Sequence, residues 1–442
     1  MTKIAMIGAG SVVFCRTLVN DILNVPELQD CTLYLMDIDP ERLVLVEKLI
    51  RKIVADEGLP TTIAATTDRR EAIRDARYVV VMIQVGGLDA YRIDYELPMR
   101  YGVDQCVGDT LGPGGVFRGL RSFPVLIDLA KEMELLCPPN ALLMNYSNPM
   151  AMNTWAIFDN SSVFAVGLCH GVQETARWMA RMIGAPLEEI DYWCAGINHM
   201  AWFLKFRRNG KDAYPALKKV LSDPSIQAAE NERVRCQMME NFGYFMTESS
   251  GHLSEYVPWY RKRKDLMRQF VGPGFGGETR AYLTMCEREV DKYLDEANRQ
   301  IAGRKPANLA ERSIEYCSFI IEACETGRLF RFNGNVRNTG LITNLPEGCC
   351  VEVPCFVDRL GIHPVHVGQL PPQCAAACRS NVIVQEFAVK GGTTGDREMV
   401  FQSVLHDPLT AAVCGIDEVR RMVDELFIAE AQWLPQFATG SS

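Results

Sequence analysis

An α/β fold built on a doubly wound parallel sheet is predicted by three features of this 442-residue sequence. Short runs that are almost entirely apolar and rich in β-branched residues recur along the first third, as strands covered on both faces should be. A stretch with apolar residues at helical spacing follows most of them. A Gly-x-Gly turn closes the first run.

The elements read in order as follows. Residues 3–8 (KIAMIG) form a first strand, Gly8-Ala9-Gly10-Ser11 a turn, and residues 17–23 a helix. Residues 32–36 (TLYLM) form a second strand that ends at Asp37, and residues 78–85 (YVVVMIQV) a third buried one. Residues 141–146 (ALLMNY) and 163–168 (VFAVGL) repeat the pattern, each leading into a helix. Strands alternating with helices require crossovers of one hand and therefore a parallel sheet. Beyond about residue 190 the texture changes. Residues 202–206 run into an Asn209-Gly210 hairpin turn, helices are expected over 226–242, 279–302 and 307–326, a strand over 349–357, and helices from about 372 to 427. There is no internal repeat or low-complexity linker, and Thr439-Gly440-Ser441-Ser442 has the composition of a cloning scar.

Composition narrows the function classes. Hydrophobic residues make up 48% and charged residues 23%, the mix of a globular protein rather than a disordered or fibrous one. The net charge is −9, and the longest basic run is Arg261-Lys262-Arg263-Lys264, so nucleic acid is excluded as a partner. No apolar run approaches the roughly 18 to 20 residues of a membrane span, and no signal-peptide pattern is present. The sixteen cysteines are spread along a core-rich chain and read as reduced thiols. A cytoplasmic location is expected.

The chemistry begins at Gly8 and Gly10. A tight turn at the first glycine and a bare second glycine let a pyrophosphate approach a helix N-terminus, with Ser11 beside it. Val13 stands where a third glycine is usual. Asp37 ends the second strand, where a carboxylate holds the ribose hydroxyls of NAD and repels the phosphate of NADP, although Asp37-Ile38-Asp39-Pro40 also reads as a turn. The whole reads as a Rossmann-like, lactate/malate dehydrogenase-like NAD-binding domain over residues 1–195. Residues 196–442 are expected to form a C-terminal α+β domain for substrate, metal and subunit contacts.

Three polar segments lie at strand ends or loops where ligands of such sheets gather. They are the glycine-rich 108–115 with Asp109, Asn145-Tyr146-Ser147-Asn148-Pro149, and Cys169-His170, followed by Asn198-His199. A cysteine and a histidine converging on one cleft could hold a divalent metal with positions open for substrate oxygens. Their plainer roles are a buried strand-end thiol and a hydrogen-bonded core histidine. The chain has only six histidines.

These residues sit in ordered motifs: MIGAGSVVF, LMDIDPERL, GDTLGPGGVFRGLRS, NYSNPMAMNTWA, GLCHGVQ, AGINHMAWFL, GYFMTESSGHLSEYVPW, NGNVRNTGLITNLPEGCCVEVPC and DPLTAAVCGIDE. With them the chain, from residue 6 to about 420, resembles glycoside hydrolase family 4, the NAD- and metal-dependent glycosidases, and within it the α-galactosidase (melibiase) branch. The resemblance implies cleavage of α-glycosides, first α-galactosides such as melibiose. NAD takes hydride from C3, a base removes the acidified C2 proton, and the C1 substituent leaves. Water then adds and the hydride returns. The resemblance further implies that Cys169 and His199 hold Mn²⁺, that Asn148, His170 and Gly171 contact the sugar, and that Asp109 protonates the leaving oxygen. It also makes Tyr256 the C2 base, with His252 as fallback. It implies a homodimer or homotetramer.

Gly171 departs from the serine that follows Cys-His in α-galactosidases. It opens space that suits a larger or carboxylated substituent at C5, so an α-glucuronidase, α-galacturonidase or α-glucosidase is the alternative. A uronate would call for Arg118, Arg121 or Arg261 nearby. Outside the glycosidases, a plain NAD-dependent hydroxy-acid dehydrogenase, or an inactive cofactor-binding sensor, would share this sheet.

Overall fold

Strand pairing follows the run-and-crossover pattern. In the computed structural model, which describes residues 2–272 and 274–438, the first six strands are β1 (Lys3–Ile7), β2 (Thr32–Met36), β3 (Thr62–Thr66), β4 (Tyr78–Val81), β5 (Leu142–Asn145) and β6 (Phe164–Gly167). The terminal Thr439-Gly440-Ser441-Ser442 lies outside those residues. The six strands are parallel in the order β3-β2-β1-β4-β5-β6, the dinucleotide-binding order. Every residue of β4 and β5 is buried, which is why these runs carry no alternation.

The second half continues the same sheet. β7 (Ile190–Ile197), β8 (Met200–Arg208), β9 (Lys211–Asp212), β10 (Phe330–Arg337), β11 (Cys350–Asp358) and β12 (Gly361–Pro364) pair antiparallel, extending the order as β6-β10-β11-β7-β8-β9, with β12 on β11. The strand-to-strand seams are narrow: Asn335 pairs Gly167 across β10–β6, and Glu352 pairs Gly196 across β11–β7. Gly167 leaves no room for a Cβ, which would lie 2.7 Å from Thr154 Oγ1 and 3.0 Å from Asn335 Cβ across the first seam, whereas Gly196 is required by its hairpin partner β8, where a Cβ would run into the Met200 carbonyl. One core cluster joins Met6, Val80 and Met144 of the parallel half to Val336, Val351 and Val382 of the other.

Several boundaries differ from expectation for local reasons. The third run stops at Val81, since the Ile83 N–H is taken by Ser147 Oγ at 2.8 Å and the chain turns at Gly86 and Gly87. The long helix after the glycine-rich loop begins at Gly112 rather than near Val116, with Pro113 in its first turn (Gly112–Leu136). The expected helix over 226–242 divides into Pro224–Ala229 and Arg233–Phe242, with Asn231 left-handed between them. Residues before Tyr316 are not helical. There Asn20 Oδ1 accepts the Ala310 N–H and Asp21 Oδ1 the Ser313 N–H, so side chains of the first helix (Val12–Leu23) satisfy that backbone. Strands β3, β7 and β10 were not anticipated. Among the described residues, no helix is long and apolar enough to cross a membrane.

A buried ionic cluster ties the end of the chain to this frame. Arg121 on the Gly112–Leu136 helix donates to both oxygens of Asp94, at 2.9 and 2.7 Å, and to Glu430 just beyond the Ile416–Ala429 helix. All three side chains are fully buried. Burial and the neighbouring Asp94 push the Glu430 carboxyl well above the carboxylate range, so one acid is neutral and the cluster carries no excess charge. Arg121→Met is expected to destabilise the fold by about 3–5 kcal/mol, because Asp94 would remain buried without its cation. Urea denaturation of the two proteins measures this, and equal midpoints would show the cluster to be stabilisingly neutral.

Candidate active site

The carboxyl ends of the parallel strands lie along one edge of the sheet, the side on which such folds form their ligand cleft. At β1, Gly8 turns with φ +89°, and its N–H and that of Ala9 both donate to the Met36 carbonyl at 2.9 Å. The helix Val12–Leu23 opens directly after Ser11, whose side chain caps nothing. Asp37 Oδ2 accepts the Gly10 N–H at 2.7 Å and Oδ1 the Asp39 N–H at 2.9 Å. A Cβ on Gly10 would lie 2.7 Å from Asp37 Oδ2. The bare glycine is therefore required, and the turn, helix N-terminus and carboxylate form a cradle fitting a dinucleotide.

Farther along the cleft, at β5, the side-chain N–H of Asn148 donates to Asp109 Oδ2 at 2.9 Å, while its carbonyl accepts from Arg118 Nε at 3.2 Å. Asp109 is buried, and its Oδ1 has no hydrogen-bond partner. Asp109 does not cap the following helix, whose N-cap is Leu111. Glu255 holds the preceding loop. Its Oε1 accepts the N–H groups of Cys106 at 2.6 Å and Val107 at 2.8 Å, and its Oε2 that of Gly108 at 2.9 Å.

At β6, Cys169 Sγ lies 3.5 Å from His199 Nε2. Asn198 and His199 form the turn between β7 and β8, and His199 adopts a left-handed φ of +61° that side chains rarely take. His199 Nδ1 meets the Tyr256 hydroxyl at 3.0 Å, and that hydroxyl also meets Thr110 Oγ1. Thr110 Oγ1 in turn lies 3.1 Å from His252 Nε2. Glu248 lies between the two imidazoles, Oε2 3.4 Å from His199 Nε2 and Oε1 3.6 Å from His252 Nδ1. His199, Glu248 and His252 thus present donor atoms within 4.8 Å of one another, a set that could hold a metal, as could Cys169 with His199.

Burial sets the electrostatics. It pushes the Cys169 thiol and the Tyr256 phenol well above their ordinary values and lowers His199, which is neutral with a free lone pair. Burial also opposes charge on His252, but the Glu248 carboxylate 3.6 Å away, with Glu255 and Asp109 beyond it, outweighs burial and raises that histidine to about 9. The two imidazoles hold the Glu248 carboxyl well below the usual range despite its burial. Beneath them, Glu352 at the β11–β7 seam is pushed up to about 8 by burial and is neutral.

The structure therefore brings Asp109, Asn148, Cys169, His199, Tyr256 and His252 together, with Gly8, Gly10, Ser11 and Asp37 at the end of the cleft marked by β1. His170 and Gly171 sit at the rim. His170 Nδ1 pairs with Glu315 at 3.1 Å, and that bond raises it to about 9. A Cβ on Gly171 would lie 3.6 Å from Cys169 Sγ, an ordinary contact, so sterics do not demand glycine there. Arg121 is committed to Asp94 and Glu430, and Arg261 to Asp104, Ser254 and the Phe275 carbonyl. Arg118 alone of the three bonds the Asn148 segment. Sequence reading missed Glu248, Thr110 and Glu255. Each lies inside a quoted motif, Thr110 in GDTLGPGGVFRGLRS and Glu248 and Glu255 in GYFMTESSGHLSEYVPW, and that membership was its only signal.

Known proteins resemble this chain in sequence and fold. The sequence pattern described as "Family 4 glycosyl hydrolase" matches residues 3–185, and that of the "Family 4 glycosyl hydrolase C-terminal domain" matches 194–410. An alpha-galactosidase of Rhizobium meliloti (strain 1021) is 45% identical over 452 residues, covering 99% of this chain and 90% of its own length. An alpha-galactosidase of Bacillus subtilis (strain 168) is 39% identical over 441 residues, covering 99% of this chain and 100% of its own. The crystal structure of a 6-phospho-alpha-glucosidase from gut microorganisms, in complex with NAD and Mn²⁺, superposes with a TM-score of 0.81 at 21% identity, over 98% of this chain and 99% of that one. A dinucleotide cradle and a Cys-His pair on one sheet edge, in a chain matched by both family patterns along most of its length, lead to one conclusion: this chain belongs to the family 4 glycosyl hydrolases.

Proposed function

We propose that this chain is an NAD- and Mn²⁺-dependent glycosidase that cleaves α-galactosides by transient oxidation at C3. The observation that carries the proposal is the meeting of Cys169 Sγ and His199 Nε2 at 3.5 Å, with the Tyr256 hydroxyl on the other nitrogen of the same imidazole. Two full-length alpha-galactosidase relatives support the substrate class, and the NAD and Mn²⁺ in the solved structure of like fold support the cofactors. Residues 1–195 would supply the dinucleotide cradle through Gly8, Gly10, Ser11 and Asp37, and Cys169 would hold the metal together with His199 of residues 196–442. Sixteen free cysteines favour the reducing cytoplasm.

When bound, NAD supplies hydride acceptance and return at C3, and the divalent ion supplies Lewis-acid polarisation of the C2 and C3 oxygens. The chain's own groups do the rest. With Nε2 turned toward Cys169, His199 keeps its proton on Nδ1 and donates it to the Tyr256 oxygen. The Thr110 hydroxyl accepts from His252 Nε2 and donates to the same oxygen. These donors oppose the burial that raises the phenol, and so favour the tyrosinate that removes the C2 proton. Asn148 holds one oxygen of Asp109, and the other, with no hydrogen-bond partner and His252 Nε2 at 3.9 Å, would carry the proton for the leaving oxygen. Asn148, His170 and Gly171 face the sugar. A uronide is the second reading, favoured by the room beside Gly171.

A panel of p-nitrophenyl α-galactoside and α-uronides tests the proposal. Release of nitrophenol from the galactoside is expected only with both NAD and Mn²⁺, without NADH accumulating, and deuterium at C2 is expected to slow turnover or wash out. Full-rate cleavage by protein stripped of NAD would defeat the mechanism, and stoichiometric NADH would indicate a simple dehydrogenase.

The raised Cys169 thiol gives a pH dependence. The thiol must lose its proton to bind a metal, so Mn²⁺ affinity is expected to rise with pH and binding to release a proton. Calorimetry in buffers of different ionisation enthalpy measures that proton, and Cys169→Ser is expected to abolish its release. Proton-neutral binding would remove Cys169 from the metal.

A further inference from the structure

We propose that Glu248 is a third protein ligand of the divalent ion, binding through Oε2 beside Cys169 and His199. The inference rests on the Cys169–His199 reading above. Sheet register carries Glu248 to that place. Met246 bridges Trp202 of β8, the Thr247 N–H donates to the Ala201 carbonyl at 2.9 Å, and Thr247 Oγ1 accepts the Ala201 N–H at 3.0 Å. The residue after this pair is therefore fixed over the β7–β8 turn that holds His199. Glu248 and His199 both adopt left-handed backbone conformations, with φ of +74° and +61°. Side chains accept that disfavoured conformation where the surrounding structure dictates a geometry.

The donor spacing fits one ion. His199 Nε2 lies 3.4 Å from Glu248 Oε2 and 3.5 Å from Cys169 Sγ. Bonds of about 2.0–2.3 Å from nitrogen, oxygen and sulfur to a common ion put neighbouring donors about 2.8–3.3 Å apart at right angles and about 3.3–3.8 Å apart at tetrahedral angles, so these donors reach one ion with at most a few tenths of an ångström of closure. The other carboxylate oxygen is already engaged, since Oε1 accepts the Ser249 N–H at 3.0 Å and lies 3.6 Å from His252 Nδ1. Among the described residues, no lysine or arginine lies within ion-pair distance of Glu248, whose only ionic neighbours are these two histidines. A thiolate and a carboxylate together match a divalent charge. Three protein donors would leave a six-coordinate ion three positions, two for sugar oxygens and one for water. His252 then orients the carboxylate rather than binding the ion.

The test uses the full chain and Mn²⁺ alone, followed by calorimetry and by electron paramagnetic resonance in isotopically labelled water. Glu248→Ala is expected to weaken Mn²⁺ binding about 100-fold, the upper end of what loss of an orienting group costs, and to admit one more inner-sphere water, which loss of an orienting group would not do. Glu248→Gln keeps an oxygen donor without the charge, so it is expected to weaken binding while leaving the water count unchanged; it serves if the alanine variant fails to fold. Unchanged affinity and water count in Glu248→Ala would overturn the proposal while Cys169→Ser still lost the ion. Silence of Cys169→Ser would instead defeat the underlying Cys-His reading. If His252→Ala admitted an extra water while Cys169→Ser did not, the ion would sit among His199, Glu248 and His252, and Glu248 would not be a partner of Cys169.

Discussion

The Glu255 carboxylate fixes where everything else in the cleft stands. It is 1% exposed, and it accepts backbone N–H groups from Cys106, Val107 and Gly108. A carboxylate so buried is tolerable only because these donors solvate it in place of water. Its consequence is positional. Glu255 adjoins Tyr256 in sequence, and the loop it holds runs straight on into Asp109 and Thr110. One buried charge thereby locks the proposed acid and base into one register across two distant stretches of chain.

A second constraint is the pair of narrow seams in the sheet. β6 meets β10 at Gly167, where a side chain would crowd Asn335, and β7 meets β11 at Gly196, where a side chain would collide with Met200 of β8. The close approach sets Cys169, two residues beyond Gly167, facing the β7–β8 turn with His199. Beneath them Asn335 and Glu352 face one another across β10 and β11, and Glu352 is kept neutral by its burial. Once Glu352 does ionise, its charge adds to the burial that already holds the Cys169 thiol high.

The same burial that makes the cleft hard to charge is what gives its hydrogen bonds leverage. Tyr256, His199, Thr110 and His252 form a continuous chain in a low-dielectric setting, where each donor matters more than it would in water. His199 is the common member: one nitrogen faces the Cys169 and Glu248 donors, and the other faces Tyr256. Any charge placed at the first nitrogen is therefore felt at the phenol through a single ring.

Local patterning determined a good deal. Apolar runs such as TLYLM and YVVV fold as strands in any context that covers them, and Gly8, Gly10 and Asp37 are read from a turn that only bare glycines allow. The candidate cluster of Asp109, Asn148, Cys169, His199 and Tyr256 was legible because the family resemblance attaches a role to each within its motif. Glu248 and Glu255 were not legible. Their roles come from which N–H or imidazole stands opposite, and sequence spacing says nothing about partners 49 or 147 residues away. Strands β3, β7 and β10 were equally hidden, because β3 is short and half-exposed and β7 and β10 gain their order from neighbours across the sheet. Sequence fixes what a segment prefers by itself; which buried charge meets which donor is decided only when the sheet closes and water is expelled.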